Sequence, residues 1–188
     1  MITSAVYPGT FDPLTLGHFD LIERSVKAFS HLTIAVAAIS VKAGAMFSLE
    51  ERMAMIRETL DAAHIENVDI EPLDGLLVDF CTRRHPVPVV IRGLRVYSDF
   101  EYEFQMALTN RKLAPEVETL FMMPQEEHSY VTASMVREIA HYGGDLAPFV
   151  PHAVLRHIIV WSERNGIKLT KNAQASLERI AAAKLSKR

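Results

Sequence analysis

Short apolar runs alternate with amphipathic stretches along this chain. Residues 2–7, 33–39, 87–91 and 118–123 are nearly continuous in apolar side chains, and 67–71 form a weaker run of the same kind. Runs of this length, bounded by Gly, Pro and polar turns, predict strands covered on both faces, as in a parallel sheet. Between them the apolar positions step at helical spacing. Phe19, Ile22, Val26 and Phe29 make one stripe, and Leu49, Met53, Ile56 and Leu60 another. Ser48 with Glu51 three residues later reads as a capping box that opens the second stripe. A short helix is predicted over 75–84 and a longer one from Ser98 to Leu113, with further starts near Thr132 and Pro151. Asn165-Gly166 reads as a helix stop, and Thr170 as the cap of a last Ala- and Lys-rich helix over 171–185, with Leu177 and Ile180 as its main apolar contacts. This alternation predicts an α/β fold, doubly wound around a mainly parallel five-stranded sheet, with C-terminal helices.

Composition narrows the class without choosing a function. The chain has 188 residues, 49% of them hydrophobic and 23% charged, enough to bury a sizeable core. A formal net charge of −3 argues against a general nucleic-acid binder, while leaving room for a local basic pocket. The single cysteine, Cys81, lies in the apolar segment 76–81 and cannot form an internal disulfide. We expect it to be a buried thiol in a reducing compartment. The chain opens on no signal-peptide pattern and has no apolar run of membrane-spanning length, so a cytoplasmic location is expected.

In a doubly wound sheet, ligands bind outside the carboxyl ends of the strands, where strand order reverses. Two loops answer that description. The first apolar run breaks into Tyr7-Pro8-Gly9-Thr10-Phe11-Asp12-Pro13, then Thr15-x-Gly17-His18 at the mouth of a helix; the run 87–91 ends in Arg92-Gly93-Leu94-Arg95. If the two strands are neighbours, Thr10, His18, Arg92 and Arg95 converge. A hydroxyl, an imidazole and two guanidiniums at a helix N-terminus describe a polyphosphate site. The helix dipole disfavours an imidazolium at His18, whereas bound phosphates favour it, so its charge is open at this point. A third segment, His128 to Ser134, places Ser129, Tyr130, Val131, Thr132, Ala133 and Ser134 at a predicted helix start. Its hydroxyls and free N–H groups suit phosphate, and Thr132 alone would equally serve as a plain N-cap. Glu126-Glu127-His128 is expected to be an acidic, solvated loop. The chain has no P-loop, no Gly-x-Gly-x-x-Gly, no Cys-x-x-Cys, no His-Glu-x-x-His and no Gly-x-Ser-x-Gly, so kinase, dinucleotide-binding, zinc and serine-hydrolase readings lose support.

Thr-Phe-Asp-Pro-x-Thr-x-Gly-His, Arg-Gly-Leu-Arg and the run Asp99-Phe100-Glu101-Tyr102-Glu103 occur in that order. Together they resemble the phosphopantetheine adenylyltransferase family of the T-x-G-H nucleotidylyltransferase superfamily, over about residues 2 to 160. The resemblance implies a Rossmann-like nucleotidylyltransferase domain over 1–161, a helical extension over 162–188, and adenylyl transfer from ATP to 4′-phosphopantetheine in coenzyme A synthesis. It implies catalytic roles for His18, Thr10, Lys42 and Arg92. ATP contacts would come from Thr10, Phe11, His18, Gly93, Leu94, Arg95, Glu103 and the segment His128 to Ser134. The acceptor would meet Thr10, Lys42, Leu76, Leu77, Arg92 and Asn110, with no dedicated protein metal site. Mg²⁺ would arrive with ATP, coenzyme A would act as a feedback inhibitor, and the assembly would be a homohexamer without nucleic-acid or membrane partners. The chain departs from the family's serine-rich motif at Ala133, and from its usual aromatic residue at His128. Two other readings stand beside this one: a sister T-x-G-H enzyme using CTP or nicotinamide mononucleotide, and a nucleotide-binding module that has lost turnover.

Overall fold

The computed structural model describes residues 4–38, 45–95 and 97–185. Five strands, β1 (Ser4–Gly9), β2 (His31–Ala37), β3 (Val68–Leu73), β4 (Val89–Gly93) and β5 (Thr119–Met122), form one sheet in the order β3-β2-β1-β4-β5. Every neighbouring pair is parallel. The order reverses between β1 and β4, so the sheet is doubly wound, with its switch point beside the first strand. Among the described residues seven α-helices accompany it: α1 (Leu16–Ala28), α2 (Leu49–Ala62), α3 (Leu77–Thr82), α4 (Tyr97–Leu113), α5 (Ala133–His141), α6 (His152–Arg164) and α7 (Lys171–Leu185).

Strand alternation sorts the apolar side chains into two cores. Ala5, Tyr7, Leu32, Ile34, Val36 and Ile91 join one core with residues of α1, α2, α5 and α6, while Val6, Ala35 and Val90 join the other with Val78, Phe80 and Cys81 of α3. Both faces are therefore covered, which is why the strands read as unbroken apolar runs. Cys81 is fully buried and unpaired, and burial pushes its thiol up to about 11.

Strand ends differ from the sequence reading where the ladder carries the chain further. Pro8 and Gly9 extend β1 by pairing with Ala35 and Val36, and Arg92 and Gly93 extend β4 by pairing with Phe121 and Met122. The weak run 67–71 proves to be a strand as long as β1; it lies at the sheet edge and alternates buried with exposed positions. On α1 the fully buried positions include Leu21 and Ser25, which lie off the anticipated stripe. The buried Ser25 hydroxyl donates to the Leu21 carbonyl at 2.5 Å, so the polar group has a partner inside the helix.

The pairing of β1 with β4 covers only Ala5–Val89 and Val6–Val90, whereas β1 pairs with β2 over all six residues. Pro8, with no N–H to give, lies beyond the end of that shorter ladder. In a doubly wound sheet this switch point is where the ligand crevice lies, here flanked by the loop that leads into α1 and by the exit of β4. Beyond α6, α7 docks back on the body: the Thr170 N–H donates to the Gly143 carbonyl at 2.8 Å, and the Ser176 hydroxyl donates to Asp145 at 2.6 Å. Leu177 and Ile180 pack against the larger core, as their spacing suggested.

Candidate active site

Thr15 is the N-cap of α1. Its hydroxyl accepts from the His18 N–H at 3.3 Å, and its own N–H donates to His18 Nδ1 at 3.1 Å. This is a reciprocal capping box in which imidazole stands where Glu or Gln is usual. The ring is held further by Phe11, edge-on at 5.2 Å, and Phe11 meets Tyr7 edge-on at 5.4 Å. The Phe11 ring is interior, over a backbone with φ of 49°, and a side chain at Gly9 would sit 2.8 Å from it. Gly17 matters for another reason: a Cβ there would lie 3.2 Å from the His128 carbonyl, so its bareness lets residues 126–128 rest on α1. Burial, helped by the positive charge of Arg95, pulls the His18 pKa down to about 4. The imidazole is neutral at physiological pH.

Arg92 crosses the crevice. Its Nε and Nη2 donate to the two carboxylate oxygens of Glu103 at 2.6 and 2.7 Å, and Nη1 donates to the Pro8 carbonyl at 3.3 Å. The neighbouring strand ends thus bring the two sequence loops together as anticipated. They also join Arg92 to Glu103, two residues expected to serve different substrates. A guanidinium carries five N–H groups, so among the described residues these three bonds leave one hydrogen on each Nη for a ligand. Although burial works against its charge, Glu103 holds Arg92 firmly protonated. Arg95 lies exposed just beyond Gly93 and Leu94, and Thr10 is exposed at the mouth of the loop. Asn110, two turns along α4 from Glu103, is buried. Leu76 is 56% exposed at the start of α3, and Leu77 packs partly into the smaller core. Lys42 lies outside the described residues.

Most hydroxyls of the third segment already have local partners. The Thr132 hydroxyl caps α5 by accepting from the Met135 N–H at 3.0 Å, the Ser129 hydroxyl donates to the Glu126 carbonyl at 2.8 Å, and Ser134 Oγ accepts from Arg137 at 3.2 Å. Val131 is buried, and Tyr130 is exposed with its ring edge-on to Phe149. The N–H groups of Ala133 and Ser134, in the first turn of α5, point out of the helix with no carbonyl of their own to meet. Backbone rather than side chains therefore offers the anion-binding groups here, and an alanine at 133 keeps that capacity. Among the described residues, no group of three or more His, Cys, Asp or Glu is placed to hold a metal ion.

Four residues that hold the site together were not among the predicted site residues, although Asp12 lies within the first motif. Arg52 is 2% exposed and donates to the Thr10 carbonyl at 2.7 Å and the Ala37 carbonyl at 2.9 Å, tying the first loop to the end of β2. Asp12 accepts from the Met46 and Phe47 N–H groups at 2.9 and 3.0 Å. Arg137 donates to the Asp12 carbonyl and links α5 to the first loop. Asp20 accepts from the Gln125 N–H at 3.0 Å and so fixes the loop after β5. For Arg52 a signal existed: it stands four residues before Ile56, on the side of α2 that the apolar pattern buries.

The chain matches the cytidylyltransferase-like family model over residues 6–139. It is 50% identical over 155 residues to the phosphopantetheine adenylyltransferase of Thiobacillus denitrificans, covering 82% of this chain and 94% of that one. It is 51% identical over 157 residues to the enzyme of the same name from Alkalilimnicola ehrlichii, covering 83% and 88%. Among solved structures it resembles a Plasmodium falciparum nicotinic acid mononucleotide adenylyltransferase, with a TM-score of 0.64 and 11% identity over 86% of this chain and 97% of that one. A bifunctional nicotinamide mononucleotide adenylyltransferase/ADP-ribose pyrophosphatase from Francisella tularensis superposes with a TM-score of 0.66 and 17% identity, over 93% of this chain and 52% of that one. At such identities the structural likeness speaks for the fold alone, and the choice of branch rests on the close relatives: the chain belongs to the phosphopantetheine adenylyltransferase family.

Proposed function

We propose that this site transfers the adenylyl group of ATP to 4′-phosphopantetheine, giving dephospho-coenzyme A and pyrophosphate. The observation that carries the reading is that the ends of β1 and β4 bring together the Pro8 carbonyl and the Arg92–Glu103 pair, with Arg95 near the His18 ring of the helix start. A phosphate oxygen of the acceptor attacks the α-phosphorus of ATP, the bond from that phosphorus to the β-bridging oxygen breaks, and pyrophosphate leaves with the electron pair. The attacking group is already anionic, so no protein nucleophile is needed; catalysis rests on positioning and charge stabilisation.

In this reading His18 donates to an α-phosphate oxygen, and Thr10 orients both substrates. Lys42 and Arg92 hold the acceptor phosphate, with Leu76, Leu77 and Asn110 along the pantetheine arm. Phe11, Gly93, Leu94 and Glu103 border the nucleotide. Arg95 and the segment from His128 to Ser134 receive the leaving pyrophosphate, through the N–H groups of Ala133 and Ser134 above all. Mg²⁺ enters with ATP, bound mainly by triphosphate oxygens, as suits an ion that keeps most of its water. Coenzyme A shares both arms of the product and would compete for the same crevice. The exposed apolar side chains of α4, among them Tyr102 at 62% and Leu108 at 50%, support burial against other copies, and we assign the assembly as a homohexamer. No helix among the described residues is long and apolar enough to cross a membrane. With an unpaired buried cysteine, we assign the protein to the cytoplasm. We also divide the chain into a catalytic domain over 1–161 and an extension over 162–188, whose main element is α7, with the division in the last turn of α6.

The test is pyrophosphate release with ATP and 4′-phosphopantetheine, with CTP and nicotinamide mononucleotide as controls. Release that requires both ATP and phosphopantetheine is expected. Turnover only with a control would move the chain to a sister activity, and nucleotide binding without turnover would make it a binding module.

A further inference from the structure

The backbone N–H and the hydroxyl of Thr15 converge on a single ring nitrogen of His18. The backbone N–H is 3.1 Å from Nδ1 and the hydroxyl is 3.0 Å from it. A backbone N–H can only donate, so Nδ1 must offer its lone pair, and in a neutral imidazole the proton then belongs to Nε2. The opposite tautomer would set two hydrogens against each other along one short N–N line. The hydroxyl fits the same arrangement: it accepts from the His18 N–H and can turn its own hydrogen toward Nδ1. Among the described residues the hydrogen bonds to this ring all fall on Nδ1, so Nε2–H is the group left for a ligand. Phe11 packs edge-on against the ring and limits its swing.

We propose that Thr15 is a positioning residue that locks His18 in the Nε2–H tautomer, so that His18 serves as a neutral hydrogen-bond donor to a phosphoryl oxygen. This rests on the reading of His18 as the α-phosphate contact. A plain N-cap would need only an oxygen at position 15, and many side chains provide one. The lock needs an oxygen that does not draw a proton onto Nδ1. Asp separates the two roles: it caps a helix as well as Thr or better, but its carboxylate beside Nδ1 favours Nδ1–H or the imidazolium. Arg95, from the β4–α4 connection, opposes that protonation.

The test uses the full-length protein. Long-range ¹H–¹⁵N spectra of the His18 ring at pH 7, assigned with a His18→Gln variant, are expected to show an unprotonated Nδ1 and a protonated Nε2. Thr15→Asp is expected to keep the thermal midpoint, to move a proton onto Nδ1, and to lower kcat about ten- to a hundredfold with a smaller change in KM for ATP, short of the loss on deleting a transition-state donor outright. Thr15→Ser should restore the wild-type spectrum and rate. An Nδ1–H or imidazolium ring in the wild type would overturn the proposal. So would a Thr15→Asp protein whose ring is unchanged, or one whose ring is inverted with kcat intact. If Thr15→Asp fails to fold, Thr15→Val replaces it, keeping the backbone N–H and losing the hydroxyl: a wild-type spectrum and rate would show that the backbone alone sets the tautomer and overturn the role of the Thr15 side chain, and a mixture of tautomers with reduced kcat would support it. The ring spectrum reports the lock independently of activity, so a wrong role for His18 would appear separately, as a His18→Gln variant of normal rate.

Discussion

At His18, a helix-start residue, burial above all and then the charge of Arg95 act against protonation, with a donor at Nδ1 and the Phe11 edge beside the ring. Their joint effect is a neutral ring, which the helix dipole favours as well. Replacing it by Ala should cut kcat about a hundred- to a thousandfold, the usual scale for one transition-state donor, with little change in melting temperature; steady-state pyrophosphate release checks this. The pH behaviour has a definite sign. With a folded pKa of about 4 against 6.5 for an ordinary imidazole, the unfolded chain binds the proton first as pH falls. The stability that goes with a neutral His18 is complete above about pH 6.5 and is lost progressively toward pH 4. In ring-proton titrations His18 should stay flat from pH 8 down to 5.5, while His18→Gln should show a shallower loss of stability over that acid range. Arg52 makes the complementary case. Its change to Met would strip the Thr10 and Ala37 carbonyls of a charged donor, costing about 2 to 3 kcal/mol in urea unfolding, and should raise KM for both substrates by loosening the Thr10 loop.

At the level of elements, α1, α4 and α5 each bring one end to the crevice, and the residues that place them are mostly not those expected to touch substrate. Asp20 fastens the loop after β5, Arg137 reaches from α5 to Asp12, and the Phe149 carbonyl accepts from the Leu16 N–H at 2.9 Å. The loop that follows α5 therefore supports the first turn of α1 and is itself fastened to α7 through Gly143 and Asp145. Gly143 has a φ of 66°, and a Cβ there would stand 2.1 Å from the Lys168 carbonyl. Backbone cannot give way as a side chain can. Gly143→Ala should destabilise the protein by about 2 kcal/mol or more, with hydrogen exchange rising first in α7; unchanged protection there would refute this account of the docking. Thr132→Ala should cost about 1 kcal/mol through its cap and affect nucleotide binding little, because the N–H groups of residues 133 and 134 persist.

Over the whole molecule, the outward side of α4 and the edge at β5 leave Phe104, Leu108, Leu113 and Leu120 about half exposed. Exposed apolar side chains grouped in this way are what the proposed assembly would bury. Sedimentation should find an assembly in the wild type, and Leu108→Glu should shift it toward smaller species while the far-ultraviolet circular dichroism stays unchanged; a monomeric wild type would remove the assembly from the reading.

Local pattern alone was enough for the strands, the helix starts and the strand-end loops. Each depends on spacing within a few residues: apolar runs for a sheet covered on both faces, Ser48–Glu51 for a capping box that the structure retains, and Thr15-x-Gly17-His18 for a helix start. Family motifs likewise sit on contiguous residues, so the first loop, Arg92 to Arg95 and the His128 to Ser134 segment could be named as candidates directly. What tertiary structure decided involves partners distant in the chain. The apolar stripe of α2 omits Arg52 because a charged residue reads as solvated until two carbonyls, from Thr10 and Ala37, are found waiting for it. Arg92 and Glu103 looked like separate contacts until helix α4 folded one onto the other. The neutral state of His18 also depended on burial and on Arg95, neither of which spacing records. Sequence reports which groups are near in the chain; desolvation and long-range pairing, which set charge and position in the site, exist only once the chain has closed on itself.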